Sequence, residues 1–294
     1  MKTNDVPKCM TLIFADTDEV SFNVSGSGTA TIDWGDGTPH ETHVLSDKDS
    51  DCKHTYPEKS DRTIIITGEN ITDFSSRWYD YSLTSVDVSK NTALERLFCS
   101  KNWLTNLDVS KNIALTSLDC SENGLTELDV SANTALWRLD CGENHIESLD
   151  VSRNSALTTL CCQKNKLTDL DMSKNFALRE LNCSNNQLTS LNVGNNSMLE
   201  ILDCRYNYLT SLDVRDNAKL TEFDYSEQFM REEMILMSEH LRLIGKFRSG
   251  ELNILDIIKK DGYHGMYKEN REYSDVYKAY RASGMIEGVG IEYD

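Results

Sequence analysis

Leu125-Thr-Glu-Leu-Asp-Val-Ser-Ala-Asn-Thr-Ala-Leu-Trp-Arg-Leu-Asp-Cys-Gly-Glu-Asn-His145 is one of seven consecutive 21-residue stretches, from Leu83 to Phe229, that follow a single template. The template reads Leu-Thr-x-Leu-Asp-Val-Ser-x-Asn-x-Ala-Leu-x-x-Leu-x-Cys-x-x-Asn-x. A unit this short cannot bury an apolar face alone, so neighbours must stack and share one core. Half of the chain is therefore a one-dimensional array, whose stability is a sum of rungs and of the interfaces between them.

Numbering the template 1 to 21, positions 12, 15 and 17 give Leu-x-x-Leu-x-Cys, with Asn at 20 and Leu again at 1. That is the leucine-rich repeat signature, and it predicts one short parallel strand per rung. Alternation along a strand points Leu97 and Cys99 inward, with their equivalents at 118 and 120, 139 and 141, 160 and 162, 181 and 183, and 202 and 204. Cysteine suits such a site as a small, readily buried hydrophobe. The asparagines at 102, 123, 144, 165, 186 and 207 stand where the chain leaves the strand, and their amides are expected to pair with backbone groups orphaned in the turn. Asp at position 5 (Asp87, Asp108, Asp129, Asp150, Asp171, Asp213, with Asn192 once), Ser at 7 and Asn at 9 are expected to do similar work on the convex side. The template repeats itself at half period, Leu-x-x-Leu-x-Val-x-x-Asn before Leu-x-x-Leu-x-Cys-x-x-Asn, so that side should be turn-like and without full helices.

The recurrence of Cys99, Cys120, Cys141, Cys162, Cys183 and Cys204 every 21 residues resembles the cysteine-ladder leucine-rich repeats of the internalin family and of similar surface proteins from gut bacteria. The resemblance covers residues 83–229, and Tyr225 breaks the ladder in the last rung. It implies an extracellular adhesion or recognition role.

The chain has 294 residues and carries 30 basic against 48 acidic side chains, a net charge of −18. This argues against nucleic acid and anionic membranes as partners, since both demand paired basic groups. No apolar run approaches the roughly 18–20 residues that span a bilayer, and the first seven residues lack the apolar core of a signal peptide. With the resemblance, the expectation is an extracellular or cell-surface protein whose export signal has been trimmed. Six of the nine cysteines are placed by the repeat, and evenly spaced inward thiols do not converge on an ion, so no metal and no cofactor is expected. They should be buried free thiols, whereas Cys161, at the outward position 16, should be exposed and reactive.

The flanks read differently. Residues 1–82 show strand alternation in Val20-Ser-Phe-Asn-Val24, Thr29-Ala-Thr-Ile32 and Ile64-Ile-Ile66. Asp33-Trp-Gly-Asp-Gly-Thr38 has the glycines of a tight turn. With His54-Thr-Tyr56 downstream, the region resembles the PKD-type immunoglobulin-like domain, which implies a β-sandwich acting as a spacer. His40, His43 and His54 fit surface loops better than a zinc site. Cys9 and Cys52 could pair in an exported protein. After the repeats (83–229), residues 230–294 place Met230, Met234, Met237, Leu241 and Ile244 at helical spacing, the pattern of a helical cap on the open solenoid end. The fold expected is thus mainly β, a sandwich followed by a seven-rung solenoid with a helical cap.

Positions 14, 16 and 18 face outward on the concave sheet and are the least constrained by the fold. The candidate ligand-binding residues there are Arg96, Phe98, Asp119, Arg138, Asp140, Asn182, Asp203, Arg205 and Asp224, with Tyr206 beside the strand end. Such a face suits a protein or glycan bound by a monomer. No Gly-x-Ser-x-Gly, phosphate-loop or His-Glu-x-x-His motif occurs, and the last cysteine is Cys204, so no catalytic residue is assigned and the chain is not expected to be an enzyme. The alternatives are a structural spacer in a cell-surface assembly and an accessory module of a surface enzyme system.

Overall fold

The computed structural model describes residues 8–76 and 82–228, which fall within one compact unit, Met1–Arg231. Four strands precede the repeats: β1 (Cys9–Asp33), β2 (Glu41–Leu45), β3 (Ser50–Ser75) and β4 (Leu83–Asp87). Seven three-residue strands follow at the 21-residue period: β5 (Arg96–Phe98), β6 (Ser117–Asp119), β7 (Arg138–Asp140), β8 (Thr159–Cys161), β9 (Glu180–Asn182), β10 (Ile201–Asp203) and β11 (Glu222–Asp224). No helix occurs among the described residues. The expected helical cap at 230–294 lies outside them.

β1 and β3 are long, bulged strands whose pairings fall into two groups. Cys9–Phe14 and Ala30–Asp33 both lie antiparallel to the stretch of β3 around Ile65, while Glu19–Ser27 lies between Ser50–Thr55 and Asn70–Ser75. β2 adds beside Gly28–Ile32 and β4 beside Thr11–Phe14. Glycine is required at Gly35, where φ is 73° and a Cβ would meet the Thr63 carbonyl at 2.3 Å. Trp34 is buried, and its indole donates to Glu41 at 3.1 Å. Asp36 accepts from the Thr38 amide and hydroxyl and lies 2.8 Å from His54 Nε2, while His54 stacks on Trp34 and the Tyr56 hydroxyl donates to the Trp34 carbonyl at 2.8 Å. The two motifs of this region thus meet in one cluster. Cys9 and Cys52 are free, and the register that places Cys9 opposite Thr67 and Cys52 opposite Phe22 keeps them on different pairs.

The solenoid begins on the edge of these strands. Asp73–Ser75 of β3 runs parallel to β5, and the parallel pairing continues through β11. Every ladder leucine and cysteine from Leu97 to Cys204 is buried. In rung seven, Phe223 takes the inward leucine position yet is 47% exposed, and among the described residues no further rung follows it.

Two asparagine rows hold the turns. Asn144 accepts from the Leu125 amide at 3.0 Å and donates to the carbonyls of Cys120, Cys141 and Gly142, and the same set recurs at Asn123, Asn165, Asn186 and Asn207, while at Asn102 the Ser76 hydroxyl takes the place of the preceding rung's cysteine carbonyl. Gln228 supplies it in the last rung. On the other side, Asn133 donates to the carbonyls of Val109 and Asn112 in the preceding rung, as Asn112, Asn154, Asn175, Asn196 and Asn217 do to theirs. The position-5 aspartates accept from the amide two residues on, as Asp129 does from Ser131 at 2.8 Å and Asp213 from Arg215 at 3.1 Å. Position 19 of every rung adopts a left-handed conformation near 55° without glycine: Lys101, Glu122, Glu143, Lys164, Asn185, Tyr206 and Glu227.

Candidate ligand-binding face

Each outward position follows from the alternation that buries Leu at 15: residues 14 and 16 must then project from the other side of the sheet. The structure sets Arg96 and Arg138 in one row and Phe98, Asp119, Asp140, Asn182, Asp203 and Asp224 in the next, with Arg205 and Tyr206 past the end of β10, but it closes part of the surface. Asp119 is buried, only 8% exposed. Phe98, Arg138, Asp140, Asn182, Asp203, Tyr206 and Asp224 are half-buried, and Arg96 and Arg205 are exposed.

Position 16 has a second task that the sequence analysis did not assign. Asp119 accepts from the Ser121 amide and hydroxyl, Asp140 from the Gly142 amide at 3.2 Å, Asn182 from Ser184, Asp203 from the Arg205 amide, and Asp224 from the Ser226 amide and hydroxyl. These are the same Asx turns that positions 5 and 7 make, and the same pattern, Asp or Asn followed two residues on by Ser or Gly, would have revealed all of them but Asp203. The two hydrogen bonds from Ser226 hold the Asp224 carboxyl below its usual range.

The arginines are matched to these acids. Arg205 reaches Asp203 at 3.0 Å and Asp224 of the next rung at 3.5 Å, Arg138 lies 3.7 Å from Asp140, and Arg96 pairs with Asp73 of β3. The acidic row therefore carries local ion pairs, one at Asp140 and one at Asp203 and Asp224. Near its N-terminal end, Asp47, Lys48 and Asp49 of the turn between β2 and β3 join Asp73, Arg96 and Phe98 around a cleft of about 480 Å3.

Cys161 corrects an expectation. Its outward position does not leave it exposed: it is half-buried, and burial together with Asp140 and Glu180 pushes its thiol up to about 12. At neutral pH it is not the activated thiolate that reactivity requires. The ladder thiols are free and raised by full burial, as at Cys120, Cys162 and Cys183. Among the described residues no group of three His, Cys, Asp or Glu side chains converges to hold an ion; His40, His43 and His54 each face a separate carboxylate, on Asp33, Glu41 and Asp36. No helix of the described residues is long and apolar enough to cross a membrane.

No family model and no curated protein matches the chain. Among solved structures it is similar to the functional domain of InlJ from Listeria monocytogenes, which includes a cysteine ladder, with 35% identity over 54% of this chain and 40% of that one, at a TM-score of 0.45. A leucine-rich repeat protein of Leptospira interrogans matches at 24% identity over 52% of this chain and 42% of its own, TM-score 0.46. Internalin C2 of Listeria monocytogenes matches at 21% identity over 53% and 71%, TM-score 0.49. The chain thus spans less than half the length of the first two.

Proposed function

We propose that this chain is the recognition part of a non-enzymatic extracellular or cell-surface protein, and that the outward face of its parallel sheet binds a protein or glycan partner as a monomer. The observation that supports this most is positional. Inward sites hold Leu and Cys almost without change, while positions 14 and 16 run Arg96 and Phe98, Arg138 and Asp140, Glu180 and Asn182, Ile201 and Asp203 on the same backbone. A rigid scaffold with a varied, charged and partly aromatic face is the general form of a recognition surface. Arg96, Phe98, Arg138, Asp140, Asn182, Asp203, Arg205, Tyr206 and Asp224 are the proposed contacts. Residues 8–76 we read as a PKD-like immunoglobulin-type spacer.

The spacer reading of the whole chain has an observation of its own: the acids and arginines of the face already satisfy one another. An immobilised chain screened against glycans and extracellular proteins separates the two. Asp140→Asn, Asp203→Asn and Asp224→Asn together remove the charge and keep the turns, since Asn182 makes that turn naturally. Binding lost by this triple variant at unchanged melting temperature supports the recognition face, and a chain that captures nothing in the screen is a spacer.

A further inference from the structure

Trp103 is a large apolar side chain left 56% exposed at position 21, where the chain has passed the strand end of rung one. The same position in later rungs holds His145, Lys166, Gln187 and Tyr208, but in rung two it holds Gly124. The backbone does not demand that glycine. Its amide donates to the Leu104 carbonyl at 2.8 Å, as His145 does to Leu125 at 2.8 Å, and a Cβ there would meet nothing closer than the Leu104 oxygen at 3.4 Å. What the glycine changes is space. A depression of about 390 Å3 opens beside the indole, lined by Asn102, Trp103, Thr105, Glu122, Asn123 and Gly124. Asn123 is the one position-20 asparagine that is not buried.

We infer that Trp103 and the gap over Gly124 form a saccharide subsite, in which one face of a pyranose ring lies on the indole and its hydroxyls reach Glu122 and Thr105. The chemistry favours a sugar over other flat ligands. An indole left 56% exposed offers apolar ring surface to the axial C–H groups of a pyranose, and such amphipathic stacking needs an apolar plate with polar groups at its edge. Glu122 supplies a carboxylate that accepts from vicinal hydroxyls, and Lys101, 3.5 Å from it, adds a donor. A quaternary ammonium would want several rings around it, and only one ring lines this depression. The site is separate from the sheet face, since no residue at position 14, 16 or 18 takes part.

The test uses the full chain with methyl glycosides of hexoses and N-acetylhexosamines, read by saturation-transfer NMR on the sugar. Gly124→Gln fills the gap with the side chain that rung five carries at the same position, so the fold should hold it. Trp103→Gln removes the plate. Each should weaken glycoside binding by about tenfold or more, with the melting temperature unchanged, whereas Trp137→Gln, at an exposed tryptophan elsewhere, should leave binding as it is. Absence of transfer to every glycoside overturns the proposal, as does transfer that survives Gly124→Gln. The triple asparagine variant of the sheet face should bind the glycosides normally, so failure there is distinguishable from failure here.

Discussion

The N-terminal strands and the solenoid share one sheet and are stabilised in opposite ways. Around Trp34 every contact occurs once: the bond to Glu41, the stack on His54, the Asp36–His54 pair, the Tyr56 hydroxyl on the Trp34 carbonyl. In the solenoid the asparagine contacts recur and are shared. The Cys120 carbonyl accepts from both Asn123 and Asn144, and the Cys141 carbonyl from both Asn144 and Asn165. Losing one asparagine leaves each carbonyl a second donor, so the array tolerates single faults that the unique cluster cannot.

The largest effect expected breaks that sharing. Asn144→Leu orphans the Leu125 amide alone and should cost about 2 kcal/mol, the usual penalty of one buried unpaired group. Asn165→Leu should cost about the same through the Ile146 amide. Together they also strip the Cys141 carbonyl of both donors, so the double variant should exceed the sum by about 1–2 kcal/mol. Urea titration of the three variants checks this, and simple additivity would show that the carbonyls are not shared. Next comes Trp34→Ala, expected to cost about 3–5 kcal/mol as a large buried ring without a repeat to replace it. Protease cleavage of the variant should fall first within 8–76, whereas cleavage starting inside the repeats would mean that this cluster stabilises more than its own strands.

A smaller loss is expected at the cysteine ladder. Cys141→Ser buries a hydroxyl among leucines and should cost about 1–3 kcal/mol; Cys141→Ala should cost less, and the reverse order would indicate that the thiol takes part in a bond that serine preserves.

How much of this was legible in advance follows the same division. Periodicity showed the inward leucines and cysteines, the position-20 amides and the absence of helices on the far side, because a residue repeated in six or seven rungs can only be doing something each rung needs. It missed the Asx turns at position 16, where Asp119-Cys-Ser121 has the same logic as Asp129-Val-Ser131, and so it did not separate the buried, turn-forming Asp119 from the more open acids of the row. It mistook Cys161 for an exposed thiol, since outward on a parallel sheet means covered by the neighbouring rungs' side chains. The joining of β3 to β5, and the Arg96–Asp73 pair that follows from it, had no periodic signal. Two motifs 18 residues apart, at Asp36 and His54, were recognisable singly, but their pairing needed the register of β1 on β3.

Acid should act on the solenoid cumulatively. The amide and hydroxyl of the serine two residues on hold Asp87, Asp108, Asp129, Asp150 and Asp171 below the ordinary carboxylate range. A depressed folded-state value means that this stability is fully present above the unfolded value of about 3.9 and is lost as pH falls through the folded values. The urea midpoint should therefore be flat above pH 5 and fall steadily below pH 4. Asp129→Asn, which keeps an acceptor and removes the proton site, should make that fall less steep. An unchanged slope would show that these turns do not differ between folded and unfolded chains in their affinity for protons.

The smallest effect lies where the two regions meet. Asn91 opens the convex asparagine row in rung one, and no rung precedes it to offer the carbonyls that Asn112 and its successors use. Asn112 donates to Val88 and Asn91 at 3.0 and 2.8 Å, but neither side-chain polar atom of Asn91 has a hydrogen-bond partner among the described residues, although the residue is buried. Replacing a buried polar group that makes no bond by an apolar one of similar shape removes a desolvation penalty and loses nothing. Asn91→Leu should therefore change stability by less than about 0.5 kcal/mol, or raise it, while Asn133→Leu, which gives up bonds to Val109 and Asn112, should cost about 1–3 kcal/mol. The pair, compared by urea titration, measures what the preceding rung contributes to an identical residue. Equal losses at both sites would mean that Asn91 has a partner that takes the place of rung zero.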